Sequence, residues 1–328
     1  MSRPTVTIVF LVFNRREELR TSLREMLSRS DYQGEVDVIV VDNASTDGSA
    51  DMVRAEFPEA RVISHGENVG VSGWNVGFQA ARGDYVLALD DDAYLPPDGL
   101  RRAVEAAEAH EADLVSFKVV STHDPSFVFT EDYPTGLCSF WGCAVLMRRG
   151  VIDELGGYDP ELFIWANELE FMMRFFDRGL RHLHLPEVAA RHMKSLDGGK
   201  AVGWKPYRIH AGRFAYIAAK RLRRREAIGA LTAVLAQKVR DGLRIHPGAM
   251  TAIPTVLREF ARGLRHREPL ANPELSRFYR HNFISFASPW WLSRTPLEFI
   301  RRGPLRWQEY FERRARFYPD RSSTLDFR

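Results

Sequence analysis

Gly83-Asp-Tyr-Val-Leu-Ala-Leu-Asp-Asp-Asp92 carries the pattern that decides the fold. Tyr85–Leu89 is a short unbroken apolar run, as expected of a strand buried on both faces of a helix-covered parallel sheet. Three adjacent carboxylates at its tip repel one another unless they are solvated or hold a cation. Side chains alternate along an extended chain, so Asp90 and Asp92 are expected on one side, facing one divalent ion. Oxygen donors favour Mg2+, Mn2+ or Ca2+. The plainer alternative is a solvated turn that caps the helix after Pro96-Pro97, since Asp-rich turns are common.

Strand and helix signals alternate on either side of this stretch. Strands are expected at Thr5–Val12, Val36–Val41, Arg61–Ser64 and Leu114–Val120. Helices are expected at Glu17–Arg29, Ser49–Phe57, Ser72–Ala81 and Pro97–His110, the first with Leu19, Leu23, Met26 and Leu27 at helical spacing and the last with Pro at its start. Repeated β-α-β units predict an α/β fold, a mostly parallel sheet flanked by helices on both faces. Ligands of such sheets sit beyond the carboxyl ends of the strands. Phe13-Asn14-Arg15, Asp42-Asn43 and Asp90-Asp91-Asp92 all fall at such ends.

Two more clusters are notable. Asn68-Val-Gly70, Gly73, Asn75 and Gly77 place small residues around a helix start, where exposed N–H groups suit phosphate or sugar, or simply allow close packing. Glu168 and Glu170 precede Phe171, Met172, Phe175 and Phe176, which sets both acids in a helix's first turn, where they complement its dipole.

The order and spacing of these pieces resemble the family 2 glycosyltransferases, whose catalytic domain has the GT-A fold. The resemblance covers about residues 4–200. It rests on Phe13-Asn14-Arg15, Val41-Asp-Asn-Ala-Ser-Thr-Asp-Gly48, Asn68-x-Gly-x-x-Gly-x-Asn-x-Gly77, Gly83–Asp92, Gly156-Gly-Tyr-Asp159, Asn167-Glu-Leu-Glu170 and His192. Within the family the chain looks most like bacterial rhamnosyl- and galactofuranosyltransferases of cell-surface polysaccharides. The resemblance implies a donor site drawn from Phe13, Asn14, Arg15, Asp42, Asn43, Asn68, Gly70, Asn75, Asp90 and Asp91. It implies a metal held by Asp90, Asp92 and His192, an acceptor pocket lined by Trp141-Gly142 and Trp165, and Glu168 as catalytic base.

The activity so implied is metal-dependent transfer from a nucleotide-diphosphate sugar (UDP- or dTDP-linked, with Mn2+ or Mg2+) to a hydroxyl of a glycan, glycolipid or small molecule. One base opposite the leaving group predicts inversion, by the logic of inverting glycosidases. Where the family commonly reads Glu/Asp-Asp-x-Asp/Glu, this chain reads Asn167-Glu168-Leu169-Glu170, so the base has an arm one methylene longer. A sugar nucleotidyltransferase and a degenerate glycan- or membrane-binding member remain as alternatives. Arg82 and the Arg148-Arg149 pair read as solvated surface.

Charge divides the chain of 328 residues. Its net charge of +3 averages 20 basic against 33 acidic residues in 1–200, and 26 against 10 in 201–328. The division suggests a catalytic domain over 1–200 and a helical, Arg-rich domain over 201–328, with helices at Tyr207–Leu222, Ala227–Val239 and around Met250–Leu264. Aromatics in Ser285–Leu292 and a helix-prone Glu298–Tyr318 follow. The basic region suits packing on the catalytic domain, docking on an anionic membrane face, or homo-oligomerisation through its aromatics. No nucleic-acid module is recognisable.

No apolar run reaches the roughly 18–20 residues that span a bilayer, and the N-terminal apolar stretch reads as a strand, not a signal. Two cysteines, Cys138 and Cys143, make neither a disulfide framework nor a zinc spacing. A cytoplasmic setting, peripheral on the inner face of the plasma membrane, is therefore expected.

Overall fold

A computed structural model describes residues 3–123, 128, 140–193, 204–244 and 247–287. Cys138, Glu298–Tyr318 and most of Ser285–Leu292 lie outside them. The chain divides into two compact units, Met1–Phe175 with Leu180–Gly199, and Phe176–Gly179 with Lys200–Arg328.

In the first unit eight strands form one sheet. They are β1 (Val6–Val12), β2 (Val36–Asp42), β3 (Ala60–Ser64), β4 (Tyr85–Asp90), β5 (Ala93–Tyr94), β6 (Leu114–Ser121), β7 (Ala144–Arg148) and β8 (His182–His192), in the order β3-β2-β1-β4-β7-β6-β8-β5. Neighbours β3-β2-β1-β4 are all parallel, and β6 pairs β8 in the same sense. The sheet is mixed because β7 runs antiparallel between β4 and β6, and β5 antiparallel to β8. Sequence periodicity did not single out β7, a five-residue strand of four apolar residues and Arg148 without a β-α-β context.

Register aligns the strand ends that matter. Val12 of β1 lies opposite Asp42 of β2, and Leu11 opposite Asp90 of β4. The three polar clusters therefore leave adjacent strands at one edge. Ile8, Val9, Phe10, Ile39, Val40, Leu87, Ala88 and Leu89 are all buried, as in central strands covered on both faces.

The helices are α1 (Arg16–Arg29), α2 (Ser49–Glu56), α3 (Trp74–Ala80), α4 (Gly99–Ala109), α5 (Arg149–Leu155) and α6 (Asn167–Asp177). Two expectations need correcting. The helix expected over Ser72–Ala81 begins with a tight 3-10 turn, Gly70–Gly73. The helix expected from Pro97 starts instead at Gly99. The carbonyls of Pro96 and Pro97 accept from Gly99 and Asp31 N–H, which makes the prolines part of the turn. Arg82 is exposed as expected. Arg148 is not merely solvated: its guanidinium donates to the Ala112 carbonyl at 3.1 Å, pairs with Glu108 at 3.0 Å and lies over the Tyr85 ring.

The second unit is helical, with α7 (Trp204–Arg221), α8 (Arg224–Arg244), a 3-10 turn at Pro247–Ala252, α9 (Ile253–Arg265) and α10 (Pro273–Ala287). Pro254 sits in the first turn of α9, where its missing N–H costs no intrahelical bond. Among the described residues no helix is long and apolar enough to cross a membrane.

Candidate active site

The acidic tip of β4 turns so that its carboxylates separate in function. Ligand atoms of Asp90, Asp92 and His192 lie within 4.8 Å of one another, with Asp92 and His192 buried. His192 arrives from a distant part of the chain because β8 pairs with β5, placing it opposite Ala93. Its Nε2 lies 3.0 Å from Asp92 Oδ1, while Arg15 reaches Asp92 Oδ2. Burial alone would raise the Asp92 carboxyl, but the His192 ring and the Arg15 guanidinium outweigh it and hold it below the ordinary range. Asp91 turns away: it accepts from Phe13 N–H at 3.4 Å and lies 3.6 Å from Arg15. Burial, reinforced by the Asp92 charge, pushes Asp91 well above the usual carboxylate range. Two carboxylates and an imidazole in this spacing form a donor set suited to Mn2+ or Mg2+.

Beside this cluster, the loops after β1 and β2 are stitched together. Asn14, at a left-handed φ of 54°, accepts from Thr46 N–H at 2.7 Å, and its own N–H donates to the Ser45 hydroxyl. Asp42 accepts from Ser45 N–H at 3.0 Å. The Asn43 amide donates to Asn68 Oδ1 and the Gly70 carbonyl, and accepts from Val69 N–H. The structure thus brings Asn14 and Asp42 into one hydrogen-bonded set and Asn43, Asn68 and Gly70 into another, joined where Asp42 and Asn43 are neighbours in the chain. Phe13 stands 43% exposed at its margin, a bare ring at a polar site.

Asn75 is placed differently. Its amide donates to the Tyr158 carbonyl and accepts from Tyr158 N–H, both at 2.8 Å, so it clamps α3 to the Gly156-Gly157-Tyr158 turn.

The two glutamates of α6 are also unlike. Glu170 is fully buried and paired with Arg174 at 2.9 Å, and Arg174 also donates to the carbonyls of Leu155 and Gly157, each at 2.6 Å. It anchors the helix. Arg174→Met is expected to lower stability by about 3–5 kcal/mol, because it strands a buried carboxylate, read as a lower urea midpoint.

Glu168 is half-buried. Burial pushes its carboxyl up to about 7, with the Asp90 charge adding to the rise, and the Gly142 backbone N–H pulls the other way. Trp165 and Ala166, just before the helix, both hold left-handed φ values of 69° and 63°. Two such residues in succession store strain that surrounding contacts must sustain. A Cβ on Gly142 would lie 2.3 Å from Glu168 Oε1. Gly142→Ala must therefore displace the carboxylate, and turnover is expected to fall about 10²-fold, the cost of roughly 1 Å of misplacement. Donor affinity should hold, and steady-state kinetics check both.

Sequence reasoning did not find the Arg174 anchor or the contact of Gly142 with Glu168. Glu170 and Arg174 at i, i+4 gave a local signal for the first. Nothing local signals the second, since 25 positions separate the residues.

Comparisons with known proteins bear on the family and the fold. The profile described as glycosyl transferase family 2 matches residues 7–141, and that of glycosyl transferase family group 2 matches 85–307. The chain is 34% identical over 113 residues to the succinoglycan biosynthesis protein ExoO of Rhizobium meliloti, covering 34% of this chain and 32% of that protein. It is 31% identical over 112 residues to an undecaprenyl-phosphate 4-deoxy-4-formamido-L-arabinose transferase of Edwardsiella ictaluri, covering 31% and 34%. These matches span about a third of the length of the curated relatives.

Among solved structures, a mannosyltransferase of Pyrobaculum calidifontis in complex with GDP-Man and Mn2+ superposes with a TM-score of 0.54 at 20% identity, covering 89% of this chain and 86% of that one. S. aureus TarS 1-349 with UDP-GlcNAc gives 0.56 at 16%, covering 91% and 92%. At such identities the likeness is one of fold, the GT-A fold. With its longer profile match spanning more than half of its length, the chain belongs to the family 2 glycosyltransferases.

Proposed function

We propose that this protein transfers a sugar, with inversion, from a nucleotide-diphosphate sugar to an acceptor hydroxyl, using Glu168 as base and a divalent ion held by Asp90, Asp92 and His192. The observation that carries the reading is the placement of Glu168: its carboxyl, raised to about 7, feels the charge of Asp90, a member of the three-residue cluster. Proton acceptor and cation site thus share one small region, as an attack on a sugar carbon opposite a departing diphosphate requires. A base poised near neutrality accepts the acceptor's proton during attack, a contribution of about 10²–10⁴-fold.

A bound Mn2+ or Mg2+ would supply charge neutralisation for the leaving diphosphate. The chain's own residues do the rest. Arg15, already bonded to Asp92, sets a fixed positive charge beside the same oxygens. Phe13 offers its exposed ring to a nucleotide base, and the Asn43–Asn68–Gly70 set shapes the loop beneath it. Asn75 belongs to this reading as support for α3. Trp165 and Trp141 line the acceptor side. Against a nucleotidyltransferase, which has no acceptor hydroxyl to deprotonate, the raised carboxyl of Glu168 beside Asp90 supports the glycosyl-transfer reading.

The named relatives act in succinoglycan biosynthesis and on undecaprenyl phosphate, which supports a cell-surface glycan or lipid-linked acceptor for this chain. We infer a 1–200 catalytic domain and a basic 201–328 domain working at the cytoplasmic face of the plasma membrane. The test is a panel of UDP-, dTDP- and GDP-sugars scored by protection against thermal unfolding with and without Mn2+. One donor should raise the transition only when metal is present, and no protection by any donor would defeat the reading.

A further inference from the structure

The helical unit turns part of its apolar surface outward. Of nine large hydrophobic side chains exposed among the described residues, five lie on α8 and α9: Ile228, Val239, Leu243, Leu257 and Leu264. On α8 they fall on one stripe with exposed Thr232 and Ala236, at steps of four, four, three and four residues, one face of a helix over about 22 Å. Ile228 is 61% and Leu243 76% exposed. The opposite side of the same helix holds Gln237, Lys238 and Asp241, all buried, with the Lys238 ammonium 4.4 Å from the centre of the Tyr207 ring. Ala227, Ala230 and Val234 share that buried side, so α8 turns apolar side chains both inward and outward, unlike an ordinary surface helix, whose outer face is polar.

Charge surrounds the stripe without entering it. Exposed Arg224 and Arg225 stand at the N-terminal end of α8, and Arg244 closes its sequence. On α9, exposed Arg258 and Arg265 flank Leu257 and Leu264. Residues 201–328 as a whole carry 26 basic against 10 acidic side chains. Apolar side chains at the level of acyl chains, edged by arginines at the level of phosphates, are the chemistry of an interfacial helix.

We propose that the outward faces of α8 and α9 dock on an anionic bilayer surface. The proposal rests on the transferase reading for its purpose, since it would hold the enzyme where a lipid-linked acceptor lies, but the docking itself needs no turnover. A second copy of the chain is the competing occupant. It would bring one strongly basic region, 26 basic against 10 acidic residues, against its own copy, a like-charge juxtaposition that favours the anionic lipid surface.

The experiment is co-sedimentation of the full chain with vesicles of phosphatidylethanolamine containing 30 mol% phosphatidylglycerol, compared with phosphatidylcholine alone. Binding is expected to the anionic vesicles only, to weaken with salt, and to fall at least tenfold in the Ile228→Glu/Leu243→Glu double variant with its unfolding transition unchanged. A second readout does not depend on that variant folding: Leu243→Cys carrying an environment-sensitive fluorophore should shift to the blue when anionic vesicles are added. No sedimentation of the parent, an unshifted fluorophore, or a dimer in light scattering that the double variant dissociates would each overturn the proposal. Nucleotide-sugar protection measured on the same samples keeps the two readings apart. Vesicle binding without any donor protection removes the transferase reading and leaves the docking, and the reverse result does the opposite.

Discussion

Glu168→Gln should abolish transfer while leaving donor binding within about twofold of the parent. The glutamine keeps the shape and the contact with Gly142 but cannot take a proton, so the loss reports the base alone, about 10²–10⁴-fold in kcat. Donor release measured as free nucleoside diphosphate gives the rate, and thermal protection gives the binding. The parent enzyme should also show an acid limb. With a carboxyl raised to about 7 by burial and by the Asp90 charge, the fraction of Glu168 able to accept a proton falls as pH drops below that value. Activity should fall tenfold per pH unit there and level off above it. A cation on Asp90 neutralises one of the two causes, so the limb should move to lower pH as metal saturates the site. Full activity in Glu168→Gln, or a flat profile between pH 5 and about 8, would remove Glu168 as base.

Asp92→Ala is expected to have the second large effect. Asp92 is the member of the cluster that meets His192 with one oxygen and Arg15 with the other. Its loss takes away a metal ligand and releases two basic side chains that it held in place. Mn2+-dependent protection by the donor should vanish, and activity should drop by more than the about 10–100-fold that loss of an outer partner of a metal ligand costs. Chelation of the parent should produce the same loss of donor binding. Equal donor affinity with and without chelator would sink the metal assignment, whatever the variant's activity.

Much of this was legible in the sequence because the signals are local. Short unbroken apolar runs such as Ile8–Val12 and Tyr85–Leu89 are too short for a typical helix and read as strands buried on both faces, which sets the polar residues that follow them at one sheet edge. Asp90 and Asp92 do come within reach of one another, but through a turn at Asp91-Asp92 that ends the strand and not through strand alternation. The helix start at Gly99 was missed because two prolines can begin a helix or form the turn before it, and hydrogen bonds to their carbonyls decided the matter. Arg148 read as solvent-facing because its partners, Ala112, Glu108 and Tyr85, come from three other elements.

By itself, the sequence determined the α/β class, the alignment of three polar clusters at the ends of neighbouring strands, and the opposition of charge between its two parts. The tertiary structure decided which of two glutamates, two residues apart, feels the charge of the acidic cluster. Glu170 is consumed by Arg174, whose guanidinium also donates to two carbonyls, while Glu168 is left against Gly142 with the field of Asp90 upon it. It also decided that His192 meets Asp92, and that Lys238 and Asp241 of α8 face inward. Each of these depends on which elements pack together. Helix and strand periodicity record only which side of an element is apolar, and say nothing of what lies across from it.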